Sequence, residues 1–277
     1  MPPTLDILAG ILLPENGASP NANDIAELYA LILVMAIVVF VGVEGALVWF
    51  LIKFKASRGR VAAQIHGNTR LEIGWTVGAA VILVFITVVT FIKLPGIKNP
   101  PPSDIDARGN PVAATSLYAS TDQPEPPSGA KLNIVVDGQQ YTWRYQYPRQ
   151  GDKEVFAYEE MVVPVGMTVI LDITSDDVAH SWWIPALGGK MDAIPGYTNK
   201  TWFKAERAGT FRGQCAELCG RNHANMLAQV RAVPFDDYQA WFDRQAADIK
   251  TAREEGAKQR QADLDAQQEA AEQAETP

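Results

Sequence analysis

The chain has 277 residues, of which 47% are hydrophobic and 20% are charged, and its formal net charge at pH 7 is -8. This length allows one or two domains. The acidic balance argues against nucleic acid as a partner and favours a basic protein. Residues 1–94 hold six basic and six acidic side chains, so the whole excess of acid lies in residues 95–277.

Two long apolar segments dominate the first third of the chain. Residues 28–52 contain a single charged side chain, Glu44, and residues 73–92 contain none. A membrane-spanning helix needs about 20 mostly apolar residues, so we predict two transmembrane helices at about 28–54 and 72–94. An ionisable group at membrane depth is costly, and we therefore expect Glu44 to face a partner subunit.

The loop between these segments is basic, with no acidic residue before Glu72. Five basic residues lie in it: Lys53, Lys55, Arg58, Arg60 and Arg70. Basic loops stay on the cytoplasmic side of a membrane, so we predict that this loop faces inward and that both termini face outward. Residues 1–27 lack the basic start of a secretory signal peptide and are expected to form an external segment.

A proline-rich stretch separates the second apolar segment from a region typical of β-structure. From Lys131 onward, short runs rich in Val, Ile, Thr, Tyr and Trp alternate with Gly, Pro and Asp. This pattern predicts one all-β domain, a sandwich or a barrel. The predicted strands are Leu132–Val136, Tyr141–Tyr147, Val155–Val163, Met167–Ile173, Thr201–Ala205 and Met226–Val233.

Aromatic residues alternate along the second of these runs. Tyr141, Trp143, Tyr145 and Tyr147 share one face of the strand, because successive side chains point to opposite faces. We expect three of the four to pack in the core of the domain.

The C-terminal residues predict a helix that ends in a polar, acidic tail. An apolar stripe runs through Trp241 and Phe242, but beyond Gln245 the sequence is mostly Ala, Gln, Glu, Asp and Lys. Such a segment is helix-prone but buries little surface, so we expect a solvated or frayed extension. The expected organisation is an external segment at 1–27, a transmembrane hairpin at 28–94, a connector at 95–130, a β-domain at 131–235 and a C-terminal helix and tail at 236–277.

Both cysteines of the chain lie in one short motif, C-x3-C-x3-H-x2-M. It contains Cys215, Cys219, His223 and Met226, and His180 lies upstream in the sequence V-A-H-S-W-W. Thiolates, imidazoles and a thioether form a soft ligand set, which selects copper over the cations that prefer oxygen. The motif therefore indicates a metal site with redox chemistry.

Several kinds of site use paired cysteines. A disulfide is the default on an oxidising, exported side, but it leaves the histidines and the methionine unexplained. A structural zinc site takes four Cys or His ligands and no methionine. A mononuclear blue-copper site needs only one cysteine. Two cysteines that bridge two copper ions, with one histidine on each ion, account for every residue of the motif, and we favour this arrangement over the other three.

The combined pattern resembles subunit II of haem–copper cytochrome c oxidase. The resemblance rests on two membrane helices, H-S-W at 180–182 and C-A-E-L-C-G-x-x-H-x-x-M at 215–226, and it extends from about residue 24 to residue 241. The stretch His66–Thr76 is similar to bacterial members. The resemblance implies a two-helix transmembrane hairpin, an all-β cupredoxin-like Greek-key barrel with a dicopper CuA centre, and a C-terminal helix.

The resemblance also implies roles for individual residues. Glu217 would bind copper through its backbone carbonyl and, through its side chain, a magnesium ion shared with subunit I. Glu72 matches an acid at the inner mouth of a proton channel, and Asp192 lies where the family has an acid near the cytochrome-docking face. The implied copper ligands are His180, Cys215, Glu217, Cys219, His223 and Met226.

One departure from the family pattern concerns electron input. Family members commonly have G-H-Q-W-Y-W where this chain reads G-Q-Q-Y-T-W at 138–143. The tryptophan that receives electrons from cytochrome c therefore aligns with Tyr141 and not with Trp143. An aromatic ring remains at this position, while the docking geometry is expected to differ.

The implied function is that of an electron-accepting subunit in a bacterial plasma membrane. Electrons from cytochrome c would reach the CuA centre on the outer side and pass, by way of His223, to haem in subunit I, where oxygen is reduced to water and protons are pumped. Haem belongs only to the partner, and subunit III and the lipid bilayer complete the expected surroundings. There are three alternative functions. Nitrous oxide reductase has a similar copper motif but is soluble, whereas this chain has two predicted membrane helices. A quinol oxidase subunit lacks the two cysteines, and a thioredoxin-like copper chaperone has βαβ alternation around its cysteine pair rather than an all-β pattern.

Overall fold

The computed structural model describes residues 12–15, 17–55, 59, 64–112 and 130–275. Some of the sequence predictions fall on other parts of the chain. Arg58 and Arg60 of the basic loop, residues 1–11 and 16 of the N-terminal segment, and residues 113–129 of the connector lie outside the described residues.

Two long helices come first in the described chain, α1 (Pro20–Lys53) and α2 (Thr69–Lys98). Both are long and apolar enough to cross a membrane, and their most apolar windows are not buried within the chain itself. Both predicted helices are shorter than the observed ones, mainly because they begin too late in the sequence. The first helix begins at Pro20 rather than at residue 28, because proline suits the first turn of a helix. The second begins at Thr69 rather than at residue 72, because the side chain of Asn68 caps it by accepting from the backbone N–H of Leu71 at 3.2 Å.

The β-domain consists of two main sheets and a two-stranded ribbon. The first sheet has the order β3-β2-β1-β5-β8, the second has the order β4-β10-β9, and β6 pairs with β7. The pairs β1–β5 and β4–β10 are parallel, and the other pairs are antiparallel. The strands are β1 (Lys131–Gln139), β2 (Thr142–Gln146), β3 (Phe156–Tyr158), β4 (Glu160–Pro164), β5 (Thr168–Ser175), β6 (His180–Trp182), β7 (Met191–Ala193), β8 (Asn199–Lys204), β9 (Gly209–Gln214) and β10 (Leu227–Val233).

One predicted strand is two strands in the structure. The run Val155–Val163 divides at Glu159, whose φ of 63° is in the left-handed region. This backbone turn ends β3 on the first sheet and sends β4 to the second sheet. Three further strands, β6, β7 and β9, were not predicted, since two have only three residues and the third contains glycine.

The core lies between the two main sheets and is rich in the predicted aromatic residues. Trp143, Tyr145 and Tyr147 are fully buried, and Tyr141 is partly buried against the same cluster. The prediction that three of the four pack in the core is therefore confirmed. The hydroxyl of Tyr147 donates to the carbonyl of Val162 at 3.0 Å and accepts from its N–H at 2.7 Å, which joins β4 to the region of β2.

A third helix, α3 (Phe235–Glu275), follows the last strand. Four side chains on its first turns are buried, at Tyr238, Phe242, Ala246 and Ile249. Beyond them the described side chains are exposed or nearly so, as expected for a solvated extension, but the backbone stays helical to Glu275.

The ends of both long helices are attached to the β-domain. Just before α1, the N–H of Ala18 donates to the carbonyl of Ala186 at 2.7 Å. In the first turn of α1, the side chain of Asn21 donates to the carbonyl of Trp202 at 3.0 Å. At the end of α2, the carbonyl of Lys98 accepts from the indole of Trp202 at 3.0 Å. The two helices and the β-domain therefore meet at strand β8.

Candidate metal centre

The motif residues lie in the loop between β9 and β10 and on strand β6. The N–H of Cys215 donates to the carbonyl of Met226 at 2.9 Å, which closes the base of the loop. The N–H of Ala216 donates to the carbonyl of Ser181 at 2.9 Å, so the loop is also held against β6. As a result His180, which is 35–46 residues away from the rest of the motif in sequence, is brought to the cysteines. A short 3-10 helix, His223–Asn225, then places His223 over the second thiol.

Two sulfur atoms form the middle of the site. The Sγ atoms of Cys215 and Cys219 lie 4.0 Å apart and both cysteines are free. A disulfide bond is about 2.05 Å long, so the structure does not join them. Metal–sulfur bonds of about 2.3 Å allow two sulfurs on one ion to be at most about 4.6 Å apart. The separation is therefore suited to a shared metal ion.

Each thiol has its own imidazole neighbour. The Nδ1 atom of His180 lies 3.8 Å from Sγ of Cys215, and Nδ1 of His223 lies 3.6 Å from Sγ of Cys219. The sulfur of Met226 lies 3.8 Å from Cys219, and the backbone carbonyl of Glu217 lies 3.2 Å from Cys215. The ligand atoms of His180, Cys215 and Cys219 all lie within 4.8 Å of one another. The donors thus form a chain, imidazole–thiol–thiol–imidazole, with one weak donor at each end.

The site is buried, so its thiols ionise only with difficulty unless a cation is bound. His180 and Met226 are fully buried, and both cysteines are nearly so. Burial, together with the neighbouring Cys215, raises the pKa of the Cys219 thiol to about 11. Two thiolates can coexist this close together only if a cation compensates their charge, and a bound metal ion supplies that compensation. The donor set therefore fits a soft metal.

A carboxylate fixes the orientation of His180. Oδ1 of Asp177 lies 2.9 Å from Nε2 of that histidine. Burial opposes ionisation of Asp177, but hydrogen bonds from His180 and from the backbone N–H groups of Gln140 and Val178 outweigh it and lower the pKa to about 2. An ionised carboxylate only accepts hydrogen bonds, so the proton of the imidazole is on Nε2. The lone pair of Nδ1 is then free to bind a metal beside Cys215.

The turn between β1 and β2 lies against the second cysteine. The side-chain amide of Gln140 donates to the carbonyl of Cys219 at 2.6 Å. The ring of Tyr141 packs so closely on Gly220 that a Cβ atom there would be 2.7 Å from the tyrosine hydroxyl. Tyr141, predicted from the resemblance as the electron-input residue, is therefore next to the motif.

Other predicted residues lie apart from this centre. Glu217 contributes its carbonyl to the site, while its residue as a whole is exposed. Asp192 lies on β7, where it is paired with Ser181 next to His180. Glu72 lies on the first turn of α2, and its carboxylate accepts from the N–H of Asn68. At 1.5 Å per residue, this is about 40 Å from the end of α2 that meets the β-domain. Glu44 lines a groove between α1 and α2.

Comparison with known proteins identifies the family. A family model of the cytochrome c oxidase subunit II transmembrane domain matches residues 9–92, and one of its periplasmic domain matches residues 149–233. Cytochrome c oxidase subunit 2 of Alkalihalophilus pseudofirmus is 34% identical over 260 residues, which cover 91% of this chain and 69% of that protein. The chain belongs to the cytochrome c oxidase subunit II family. It is subunit II of a haem–copper oxidase, an oxidoreductase complex.

A second relative agrees with this assignment, and a solved structure is also similar to part of the chain. Cytochrome c oxidase subunit 2 of Cereibacter sphaeroides is 34% identical over 243 residues, or 83% of this chain and 78% of that protein. The crystal structure of the periplasmic domain of subunit II from Bradyrhizobium japonicum is 39% identical, with a TM-score of 0.40 over 43% of this chain and 95% of that domain. The predicted two-helix hairpin, all-β cupredoxin-like domain and C-terminal helix are confirmed, as is a membrane protein of bacterial type.

Two residues of this subunit's site were not found from the sequence. Asp177 and Gln140 contact the motif residues only because the β1–β2 turn and the β5–β6 loop meet in the folded chain. Copper binding is a property of the family and agrees with the His–Cys–Cys cluster of this chain. The sequence signal for Asp177 is its position three residues before a histidine, which is weak by itself.

Proposed function

We propose that this subunit accepts electrons from cytochrome c at a dicopper CuA centre and passes them to haem in subunit I, where oxygen is reduced to water. The observation that carries the proposal is the alternation of donors, with one imidazole beside each of two unbonded thiols. A single copper ion would leave one thiol and one imidazole of this set unused. The proposed copper ligands are His180, Cys215, the Glu217 carbonyl, Cys219, His223 and Met226.

The surrounding chain is suited to rapid one-electron transfer. Copper bound here would supply the redox chemistry. The residues themselves hold the donor atoms in a buried pocket closed by backbone hydrogen bonds at Cys215 and Ala216, which limits rearrangement and excludes water. His223 is only partly buried, so it is placed at the surface where an electron could leave.

Electron input is proposed on the side of Tyr141. Its ring is partly buried against the core and packs on Gly220, next to Cys219. The acidic Asp176 and Asp177 are close to the same turn, through Gln139 and Gln140. An acidic rim would attract a basic cytochrome, and salt would weaken that attraction.

The finer assignments of the resemblance are part of the same proposal. We propose that the β-domain and both termini lie on the outer side of the plasma membrane, with the CuA domain at 131–235. Glu217 would bind magnesium at the contact with subunit I, and Glu72 would lie at the inner mouth of a proton channel coupled to pumping. The exposure of both carboxylates leaves them free to meet another subunit. Subunit III is a further expected neighbour.

The test is the copper content and low-temperature EPR spectrum of the full-length subunit, purified in detergent and loaded with copper. Two coppers per chain and a seven-line mixed-valence pattern are expected. One copper with four lines would contradict the dicopper proposal. The variant Cys215→Ser should lose the pattern, because it removes one of the two bridging thiols.

A matched variant separates the copper site from the proposed magnesium contact. Glu217→Gln retains the backbone carbonyl and should leave the EPR pattern unchanged. In the assembled oxidase, manganese bound in place of magnesium should lose its EPR signal in this variant. An unaltered manganese signal would remove the Glu217 side chain from that role.

Proton uptake tests the role of Glu72. In the assembled oxidase, Glu72→Gln should slow turnover while the copper EPR spectrum stays as in the wild type. Because Glu72 also accepts a hydrogen bond at the start of α2, Asn68→Ala is the control for a helix-capping effect. Equal turnover in Glu72→Gln and wild type would contradict the channel assignment.

A further inference from the structure

The turn between β1 and β2 is connected to both halves of the metal centre through two side chains. Asp177 contacts His180 on one side, and its other carboxylate oxygen, Oδ2, accepts from the backbone N–H of Gln140 at 2.7 Å. The side-chain amide of Gln140 donates to the carbonyl of Cys219 at 2.6 Å. A continuous path of hydrogen bonds thus runs from His180 to Cys219 by way of the turn that carries Tyr141.

We infer that Asp177 is a positioning residue, which fixes the tautomer and the ring orientation of His180 and ties the electron-accepting turn to the metal centre. This inference rests on the proposed dicopper function. It goes beyond that function by assigning a role to a residue that is not itself a ligand.

The geometry of Asp177 supports this role. Oδ1 accepts from the backbone N–H of Val178 at 2.6 Å as well as from His180, and Ser175 lies within 3.3 Å of the same oxygen. These contacts hold the carboxylate in one orientation. Partners of this kind orient metal-bound histidines and raise the basicity of the ring.

The burial of His180 makes this contact important. The ring is fully buried, and its edge packs against Trp143 with 5.8 Å between ring centroids. Water therefore has no access to replace the carboxylate as the acceptor for the Nε2 proton. Gly138 leaves room for the ring, since a Cβ atom there would be 3.0 Å from it.

The neighbouring Asp176 has the same charge but different contacts. Its carboxylate accepts from the side chain of Gln139 at 2.8 Å, and within the described part of the chain it makes no hydrogen bond to the motif residues. A charge at this position contributes to the acidic rim without orienting a ligand. Asp176→Asn is therefore a matched control for Asp177→Asn.

The experiment compares these two variants with the wild type in the full-length, copper-loaded subunit. Asp177→Asn should weaken copper binding about 10- to 100-fold and should alter the EPR hyperfine pattern. It should also raise the midpoint potential, because a less basic imidazole stabilises the oxidised centre less. A tenfold loss confined to the oxidised form corresponds to a rise of about 59 mV for one electron. Asp176→Asn should change none of these properties.

The outcomes distinguish this inference from the proposed function. If the wild type shows no seven-line pattern, the dicopper proposal fails. If it shows the pattern but Asp177→Asn matches Asp176→Asn in potential, spectrum and copper affinity, only the positioning role is overturned.

A measurement on the wild type covers the case in which Asp177→Asn does not fold. After transfer of the copper-loaded subunit to D2O, ENDOR should detect one copper-coupled imidazole proton that exchanges slowly, because His180 is buried and bonded to Asp177. The proton of the partly exposed His223 should exchange quickly. Rapid exchange of both protons would overturn the inference.

Discussion

Replacement of Asp137 by asparagine is expected to stabilise the β-domain at neutral pH. Asp137 lies at the end of β1 and is 8% exposed, and its Oδ1 atom has no hydrogen-bond partner within the part of the chain that the structure describes. Burial, together with the charge of the nearby Asp176, raises the pKa of this carboxyl from 3.8 to about 6. The side chain of Gln139 bridges the two carboxylates but neutralises neither of them.

The sign of the effect follows from the direction of the shift. The folded state binds the Asp137 proton more tightly than the unfolded state does, so stability falls as pH rises from about 4 to about 6. A shift of about two pKa units corresponds to at most about 3 kcal/mol. Part of the shift comes from the charge of Asp176, which is exposed and therefore screened by solvent. We therefore expect Asp137→Asn to raise the free energy of unfolding at neutral pH by only about 1–2 kcal/mol. Asparagine remains neutral and avoids this cost above pH 6.

Thermal unfolding of the full-length subunit in detergent, followed by near-UV circular dichroism, measures the difference. At pH 8 the Asp137→Asn variant should melt about 4–8 °C above the wild type, and at pH 4 the two should coincide. Asp192→Asn, which removes a charge from exposed β7, is the control and should show little change. A gain that is equally large at pH 4, or no gain at pH 8, would refute the reasoning.

Two further predictions concern the packing around the centre. Tyr147→Phe should cost about 2–3 kcal/mol of unfolding free energy in urea, because it leaves a buried N–H and carbonyl of Val162 without their partner; an unchanged midpoint would contradict this. Gly213→Ala should cost more than about 3 kcal/mol and prevent copper loading, because the new Cβ would be 1.8 Å from the carbonyl oxygen of Trp183, which is backbone and cannot rotate away. A folded, copper-loaded Gly213→Ala chain would show that the backbone yields there.

Much of the site could be predicted because it is local in sequence. Cys215, Cys219, His223 and Met226 lie in one loop, so their spacing alone indicates a shared ligand set. His180 was predicted only from its residue type and neighbours, and in the structure it lies beside the cysteines because β6 is held against that loop. Whether these residues bind two copper ions stays a prediction.

The non-local parts of the site could not be read from periodicity. Asp177 and Gln140 are 37 residues apart, and nothing in either segment predicts that they bond. The same holds for the pair Asp137 and Asp176, whose approach depends on the parallel register of β1 and β5. Such contacts arise from sheet topology, which composition does not determine.

The division of Val155–Val163 into two strands has a similar cause. The run is uniformly strand-like, and only the positive φ of Glu159 separates β3 from β4. Glutamate is not a residue that favours this region, so the sequence contains no signal for the break.

The helix ends were missed for a different reason, since hydropathy finds the apolar span and not the polar residues that extend a helix beyond it.

The junction at β8 has a consequence for the position of the metal centre. The carbonyl of Trp202 accepts from the side chain of Asn21 at the start of α1, and the indole N–H of Trp202 donates to the carbonyl of Lys98 at the end of α2. The same strand pairs with β5, which leads through Asp177 to His180. The distance from the apolar helices to the cysteines is therefore set by packed strands rather than by the length of the connector at 95–130. A distance fixed in this way would suit the electron transfer proposed above, because the rate of electron transfer falls steeply with the separation of donor and acceptor.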